Sequence, residues 1–250
     1  MRFIIIGGSG LIGAKLVTIL RASGHEVISA SPSSGVDATT GKGLAAVLKG
    51  AQVVVDVANS SSFDEQAAIE FFEKSNRNLA AAEKEAGVKH HVALSIVGTD
   101  RLAHSGYFHA KNVQEKMIKN AGIPYTIVQS TQFFEFLKSI AQSATTGQAV
   151  RLPPVFFQPI AADDVAAILA DMTVRPPANL TIEIAGPQRG RFPALIEEYL
   201  KATKDSLPVI TDEHARYFGM VVAEDSLVPG KNPRLGAITL ENWLKSQTQG

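Results

Sequence analysis

The chain has 250 residues, with 24 basic and 24 acidic side chains and no cysteine. A balanced charge with no basic block argues against nucleic acid or an anionic membrane as the main partner. The missing cysteines exclude disulfides, thiolate chemistry and zinc–sulfur sites. Hydrophobic residues are 45% of the chain, enough for a sizeable core, in one α/β domain with a smaller C-terminal part. No signal-like segment or bilayer-length apolar run is read, so a soluble, cytoplasmic protein is expected.

The first half alternates short apolar runs with helical patterns, the signature of βα units around a parallel sheet. Strands are expected at Arg2–Ile6, Glu26–Ala30, Gln52–Val57, His91–Ser95 and Tyr125–Gln129. Between them, helices are expected at Leu11–Ser23, Asp64–Ala86 and Phe108–Ala121, with Gly24, Gly87 and Gly122 just past their ends. After Ala144 the alternation breaks at Gly147 and Pro153–Pro154. A helix opening at Asp163–Asp164 and running through Asp171, a strand over Asn179–Ile184 and a helix over Phe192–Thr203 follow, and the tail from Thr211 shows little pattern. The expected division is a dinucleotide-binding domain over 1–150 and a small substrate-binding region over 151–250 that partly completes the sheet.

Residues 7–13 read Gly-Gly-Ser-Gly-Leu-Ile-Gly, between a strand and a helix. In that context the glycines have separate tasks. Gly7 permits the tight turn, Gly10 lets backbone approach a pyrophosphate, and Gly13 lets the helix pack on the strand. The phosphates then meet free N–H groups at the helix start, which places Ser9, Leu11 and Ile12 in the same site. This is the fingerprint of a Rossmann-type, doubly wound parallel sheet that binds NAD or NADP.

The loop after the second strand decides between the two. An NAD site usually has Asp or Glu there. Here it reads Ser29-Ala30-Ser31-Pro32-Ser33-Ser34-Gly35, with no carboxylate before Asp37. Nothing repels a 2′-phosphate, and Ser31 and Ser33 are candidates to bind it. NADP is favoured, and NAD stays open because no arginine clamps the phosphate.

Ser95 ends the fourth strand, and Tyr107 and Lys111 follow at i and i+4 on one helix face. A phenol of pKa about 10 needs help to act at neutral pH. A lysine ammonium on the same face would lower it. Tyr107 could then pass a proton to a carbonyl oxygen that Ser95 holds. The same three residues are expected to touch the cofactor.

With these residues in place, the chain resembles the short-chain dehydrogenase/reductase superfamily, and within it the atypical, NmrA-like branch, over nearly its whole length. The glycine turn has that branch's spacing. Val36-Asp37 resembles the stretch whose aspartate meets the adenine ring, and Val57-Ala58-Asn59 the loop that runs along the cofactor. Asn78 to Ala82, leading to Ala86-Gly87-Val88-Lys89, is similar to the family's long helix. Ser130-Thr131-Gln132-Phe133-Phe134-Glu135-Phe136 resembles the segment under the nicotinamide and beside the substrate. Gln158 to Ala166 resembles the stretch leading into the small C-terminal domain. The resemblance implies cofactor contacts from Asp37, Ala58, Asn59, Ser130 and Thr131, and substrate contacts from Gln132, Phe133 and Phe136. Pro32 departs from it, standing where relatives often carry an arginine. Many members of that branch lack the tyrosine and act as cofactor sensors; keeping Ser95, Tyr107 and Lys111 favours an enzyme.

Phe133, Phe134, Phe136, Phe156 and Phe157 suit either an apolar pocket or plain core. The six histidines have no metal-binding spacing, and His104 and His109 are read as solvated. Asp163–Asp164 reads as a helix cap, and Arg189 and Arg191 as turn residues. The function expected is reduction of a ketone or quinone carbonyl of a small, aromatic or apolar substrate. The alternatives are a dinucleotide-binding redox sensor without turnover and, last, a sugar-nucleotide epimerase.

Overall fold

The computed structural model describes residues 1–62, 64–103 and 106–247. In chain order the elements are β1 (Arg2–Ile6), α1 (Leu11–Ala22), β2 (Glu26–Ala30), α2 (Leu44–Leu48), β3 (Val53–Asp56), α3 (Glu65–Ala86), β4 (His90–Ile96), α4 (Gly106–Asn120) and β5 (Tyr125–Ser130). They continue with α5 (Leu137–Ser143), β6 (Thr145–Thr146), β7 (Ala149–Leu152), β8 (Phe156–Phe157), α6 (Ala162–Val174) and β9 (Leu180–Ala185). The last are β10 (Gly190–Arg191), α7 (Phe192–Ala202), β11 (Val209–Thr211), β12 (Arg234–Leu235) and α8 (Leu240–Gln247). No helix among the described residues is long and apolar enough to cross a membrane.

The expected strands and long helices form, β1 and β2 with the expected ends and the others with ends shifted by one to three residues. Local chemistry explains the ends. Asp64 caps α3 by accepting from the Ala67 amide at 3.0 Å, and Gly87 closes it at φ +67°. α2, α5, α8 and the short strands carried no readable pattern, being too short for one to repeat.

Two compact units are present: Met1–Gln129 with Val165–Ile182, and Ser130–Asp164 with Glu183–Gly250. The chain therefore changes unit at 129/130, 164/165 and 182/183, where the sequence suggested one boundary near 150. β9 begins in the first unit and ends in the second.

Among the described residues, seven strands make one sheet in the order β12-β9-β5-β4-β3-β1-β2. The pairs β1–β2, β1–β3, β3–β4 and β9–β12 run parallel. This is a Rossmann-like α/β fold. From β1 the chain first adds β2 on one side and then crosses over to add β3 on the other, so the strand order reverses between β1 and β3, the point at whose carboxyl ends this fold class holds its ligand. β3 is buried along its full length, as a strand covered on both faces must be. Ile4 and Ile6 of β1 share a core with Leu44 and Leu48 of α2 and Leu79 of α3. Phe3 and Ile5 point to the other face and are equally buried.

In the second unit, β6 and β11 flank β7, and β8 pairs with β10. Phe157 and Phe192 pack at 4.4 Å between ring centres, and Phe134 lies 5.6 Å from Trp243. Asp163 and Asp164 stand in the first turn of α6 and do not cap it. Asp164 Oδ2 instead accepts the Ile238 amide at 2.8 Å. Arg189 and Arg191 each lie 4.0 Å from the Phe156 ring centre and pair with Asp225 and Glu224.

Candidate cofactor and catalytic site

The glycine turn leaves β1 at its carboxyl end. Gly7 has φ +79°, and a Cβ there would lie 2.7 Å from the Ala58 amide nitrogen, on the loop after β3. A Cβ on Gly13 would come within 2.2 Å of the Gly7 carbonyl. Gly8, which the sequence reading passed over, is as restricted: its Cβ would meet the Ser29 Oγ at 2.5 Å. The motif spacing counts only Gly7, Gly10 and Gly13, and the crowding at Gly8 comes from Ser29 of β2 and the Ile5 carbonyl of β1. Gly10 differs. An added Cβ would have the Gly7 carbonyl at 3.3 Å as its neighbour and otherwise open space. Gly10 also caps α1 with no side-chain hydrogen bond, and the first turn of α1 holds no acidic residue. Ser9, Gly10 and Leu11 are exposed, while Ile12 and Gly13 are buried supports. A helix start with free amides and an open space above its one uncrowded glycine fits the pyrophosphate of a dinucleotide.

The serine loop is held by its own hydroxyls. Ser34 Oγ accepts the Ser31 amide and donates to the Ser31 carbonyl, both at 2.9 Å, and Ser31 and Ser33 share a hydrogen bond at 2.9 Å. Ser31 is buried and structural, whereas Ser33 and Ser34 are exposed. Asp37 accepts from the Thr39 amide and hydroxyl at 2.9 and 2.7 Å, which holds its carboxyl below the usual range. Asn78 of α3 fastens the same loop by donating to the carbonyls of Ala38 and Thr39.

On the loop after β3, the Ala58 amide donates to Asp56 Oδ1 at 3.0 Å, and exposed Asn59 accepts a hydrogen bond from the Tyr107 hydroxyl. Tyr107 packs edge-on against Phe72, 6.1 Å between ring centres. Burial pushes the phenol above its ordinary value, and the Asn59 contact offsets only part of that.

Lys111 is buried. Its ammonium donates to the Leu94 carbonyl at 2.9 Å and to the Gln114 side chain, 4.6 Å from the Phe72 ring centre. Desolvation brings its pKa down to about 8, against the pull of Asp56 and Glu115. Gln114 in turn donates to Asp56 Oδ2 at 3.2 Å. Lys111 thus binds a backbone carbonyl and an amide side chain, and the expected lowering of Tyr107 does not arise.

Ser95 is also committed. Its hydroxyl donates to Glu115 Oε1 at 2.6 Å. The same oxygen accepts from Thr99 at 3.0 Å and Gln129 at 2.8 Å, while Lys119 meets Oε2 at 3.2 Å. Sequence reasoning missed Glu115. The available signal was its position four residues beyond Lys111, on the helix face that Tyr107 and Lys111 already define.

His109 is not simply solvated, since its Nδ1 lies 2.7 Å from Glu65 Oε1. His104 lies outside the described residues. No group of three His, Asp or Glu residues that could hold a metal occurs among the described residues.

The expected residues of the 130–136 segment lie in the second unit. Ser130 is buried and donates to the Thr131 carbonyl at 2.9 Å. Thr131 Oγ1 and Gln132 Oε1 are buried without a hydrogen-bond partner among the described residues. Phe133 and Phe136 stack at 5.4 Å, with Phe136 exposed. Phe134 and Phe157 are core.

A family model described as NAD(P)H-binding matches residues 7–176, which contain the glycine turn, the Tyr107–Lys111 helix and β5. The chain belongs to the NAD(P)H-binding family. The photosystem II assembly factor Ycf39 of Synechocystis is 24% identical over 151 residues, covering 55% of this chain and 46% of that protein. The chain thus spans about half the length of that curated relative. Among solved structures, a short-chain dehydrogenase/reductase superfamily protein of Agrobacterium tumefaciens with bound NAD matches all of this chain and 96% of its own. Its TM-score is 0.74 at 15% identity. The dTDP-4-dehydrorhamnose reductase of Bacillus anthracis in complex with NADP matches 100% and 98%, at TM-score 0.71 and 14% identity. UDP-glucose 4-epimerase of Thermus thermophilus with NAD matches 97% and 99%, at 0.68 and 15%. At such identities the likeness is one of fold.

Proposed function

We propose that this protein is an NADP(H)-dependent oxidoreductase that reduces a ketone or quinone carbonyl of a small, aromatic or apolar substrate. The observation that carries the reading is the Tyr107 hydroxyl hydrogen-bonded to Asn59, on the loop against which Gly7 of the phosphate turn is packed. A proton-bearing phenol therefore stands at the carboxyl ends of β1 and β3, where this fold class holds its dinucleotide.

The helix start at Gly10–Leu11 would hold the pyrophosphate, and the exposed Ser33–Ser34 edge, free of carboxylates, would accept the 2′-phosphate. The dinucleotide, when bound, supplies hydride. Tyr107, kept neutral by burial, is the proton donor to the reduced oxygen. Lys111, fixed between Leu94 and Gln114, places positive charge beneath this region and holds the α4 face to β4. Ser95 is a positioning residue, since its proton belongs to Glu115. Ser95 and Lys111 are held by buried partners, whereas Tyr107 is held by the exposed Asn59, so proton delivery rests on the phenol. This favours quinones, whose reduced oxygens can take protons from water, over simple ketones.

The commitment of Ser95 to Glu115 also supports a second reading, a dinucleotide-binding sensor without turnover. NADPH oxidation against a panel of quinones and aromatic ketones, with calorimetric binding in parallel, separates the two. Binding with no turnover on any acceptor would replace the reductase by the sensor.

A further inference from the structure

On the loop after β3, the backbone is pinned on either side of Asn59. The Val57 amide donates to the Ile6 carbonyl at 3.0 Å, and the Ala58 amide to Asp56 Oδ1 at 3.0 Å. Beyond it, the buried Ser60 accepts the Ser62 amide on its Oγ at 3.1 Å. The Asn59 side chain is exposed, and its Oδ1 accepts from the Tyr107 hydroxyl. Tyr107 is held as firmly. Its ring lies edge-on to Phe72, and the Gly106 amide just before it donates to Glu65 Oε2 at 2.8 Å. Two fixed stretches of backbone therefore bring one exposed amide to one phenol.

The phenol has a single proton, and in this arrangement it points at Asn59. Giving that proton away leaves a phenolate, which needs a donor. The charged groups on the surrounding elements are engaged elsewhere. Lys111 donates to Leu94 and Gln114, Asp56 accepts from Ala58 and Gln114, and Glu65 pairs with His109 at 2.7 Å. Asn59 is left, and a side-chain amide carries an acceptor oxygen and a donor nitrogen on one carbon. A half-turn of the amide exchanges them. Because the side chain is exposed, the turn displaces no core packing.

We infer that Asn59 is a positioning residue for proton delivery by Tyr107: its Oδ1 holds the phenolic proton at rest, and its turned Nδ2 donates to the phenolic oxygen as the proton leaves. The role in turnover rests on the reductase reading; the pairing of amide with phenolate does not. In the transfer the Tyr107 O–H bond breaks, and its proton goes to the oxygen of the carbonyl whose carbon receives hydride from the reduced dinucleotide. Tyr107 is left as a phenolate beside the Asn59 amide and regains a proton from water. Asn59 thus takes the task that Lys111, bound to Leu94 and Gln114, does not perform.

The test is the ionisation of the phenol in the full chain without cofactor, with Tyr107 replaced by 3,5-difluorotyrosine so that titration falls near neutrality, read by the phenolate absorbance. Asn59→Leu, of nearly the same shape, is expected to raise the phenol pKa by about one pH unit, the effect of losing one hydrogen bond to a charged group. Asn59→Gln keeps the amide and is expected to restore most of the shift. A hydrogen bond accepted from the neutral phenol alone disfavours ionisation, so its loss would lower the pKa. A fall or no change in Asn59→Leu would therefore overturn the inference. In NADPH oxidation with an aromatic ketone, Asn59→Leu is expected to lower kcat about tenfold at unchanged KM, and to have no effect once Tyr107 is phenylalanine. Full additivity of those two substitutions would also overturn it. If the ionisation shift is found but wild type consumes no NADPH with any acceptor, the pairing of Asn59 with the phenolate stands and the reductase reading fails.

Discussion

Ser95 and Glu115 form a buried pair, with the Ser95 hydroxyl donating to Glu115 Oε1 across 2.6 Å and the residues 2% and 3% exposed. A carboxylate accepts and does not donate, so the pair sets the direction of the serine proton. Thr99 and Gln129 donate to the same oxygen, and Lys119 neutralises its partner. Glu115→Ala would leave the Ser95 and Thr99 hydroxyls without their acceptor and Gln129 with Thr99 Oγ1 alone, at about 3 kcal/mol in total. Thermal unfolding should show Tm lowered by roughly 6–12 °C. In kinetics, Glu115→Gln should have no further effect on kcat once Ser95 is alanine, because Glu115 acts through that hydroxyl. Full additivity of the two substitutions would argue against such coupling.

The glycines of the phosphate turn should separate by phenotype. Gly13→Ala forces a Cβ to 2.2 Å from the Gly7 carbonyl and should destabilise the fold. Gly10→Val projects mainly into open space, so the protein should fold with a near-normal Tm. NADPH affinity measured by calorimetry should nevertheless fall by at least about tenfold, since the valine occupies the pyrophosphate position. Undiminished binding by Gly10→Val would remove the assignment of the cofactor site.

Cofactor preference rests on Ser33 more than on Ser31. Ser31 is buried within the loop's own hydrogen bonds, whereas Ser33 is exposed at the edge. Ser33→Asp places a negative charge where a 2′-phosphate would lie and should shift the NADPH-to-NADH affinity ratio about tenfold toward NADH. Wild type binding NADH markedly tighter than NADPH would count against the NADP reading before any variant is made.

Tyr107→Phe removes only a hydroxyl and should leave NADPH affinity and Tm nearly unchanged. Turnover of aromatic ketones should drop by about 10²–10⁴-fold, the usual contribution of a positioned acid. Quinone turnover should fall less. Ketone turnover that survives undiminished would take Tyr107 out of the chemistry and leave the cofactor site intact.

Two adjacent histidines at the start of β4 should shape the acid limb of stability. His90 is buried, with Nε2 2.9 Å from Thr126 Oγ1, and desolvation lowers its pKa to about 4, assisted by His91. Its folded value lies below the unfolded one of about 6.5, so the unfolded chain binds more protons between these values. Stability contributed by neutral His90 is therefore present above pH about 6.5 and lost as pH falls toward 4. His91 behaves oppositely. Burial disfavours its charge, but Glu83 at 2.8 Å outweighs that and raises it, so its contribution is present at low pH and lost as pH rises through its folded value. Urea unfolding at pH 7 and pH 5 should show His90→Gln losing less stability on acidification than wild type. An equal loss in both would mean that His90 takes no part.

Strand–glycine–helix punctuation was enough, from the sequence, for the α/β class, the phosphate turn and the parallel strands, because those signals are local. A tight turn needs Gly7 whatever lies elsewhere, and a strand covered on both faces reads as an unbroken apolar run at Val53–Val55. The helix face shared by Tyr107 and Lys111 was legible for the same reason, since i and i+4 adjacency needs no tertiary information. Hydrogen-bond partners are not local. Glu115 lies 20 residues from Ser95, Asn59 48 residues from Tyr107, and Leu94 17 residues from Lys111. Only the packing of α4 against β4 and the loop after β3 decides that the serine proton goes to a carboxylate, the phenol to an asparagine and the ammonium to a backbone carbonyl. Each of those side chains could have met other partners at similar cost, so residue types and spacing could nominate the three groups but could not determine which of them remains free to give a proton.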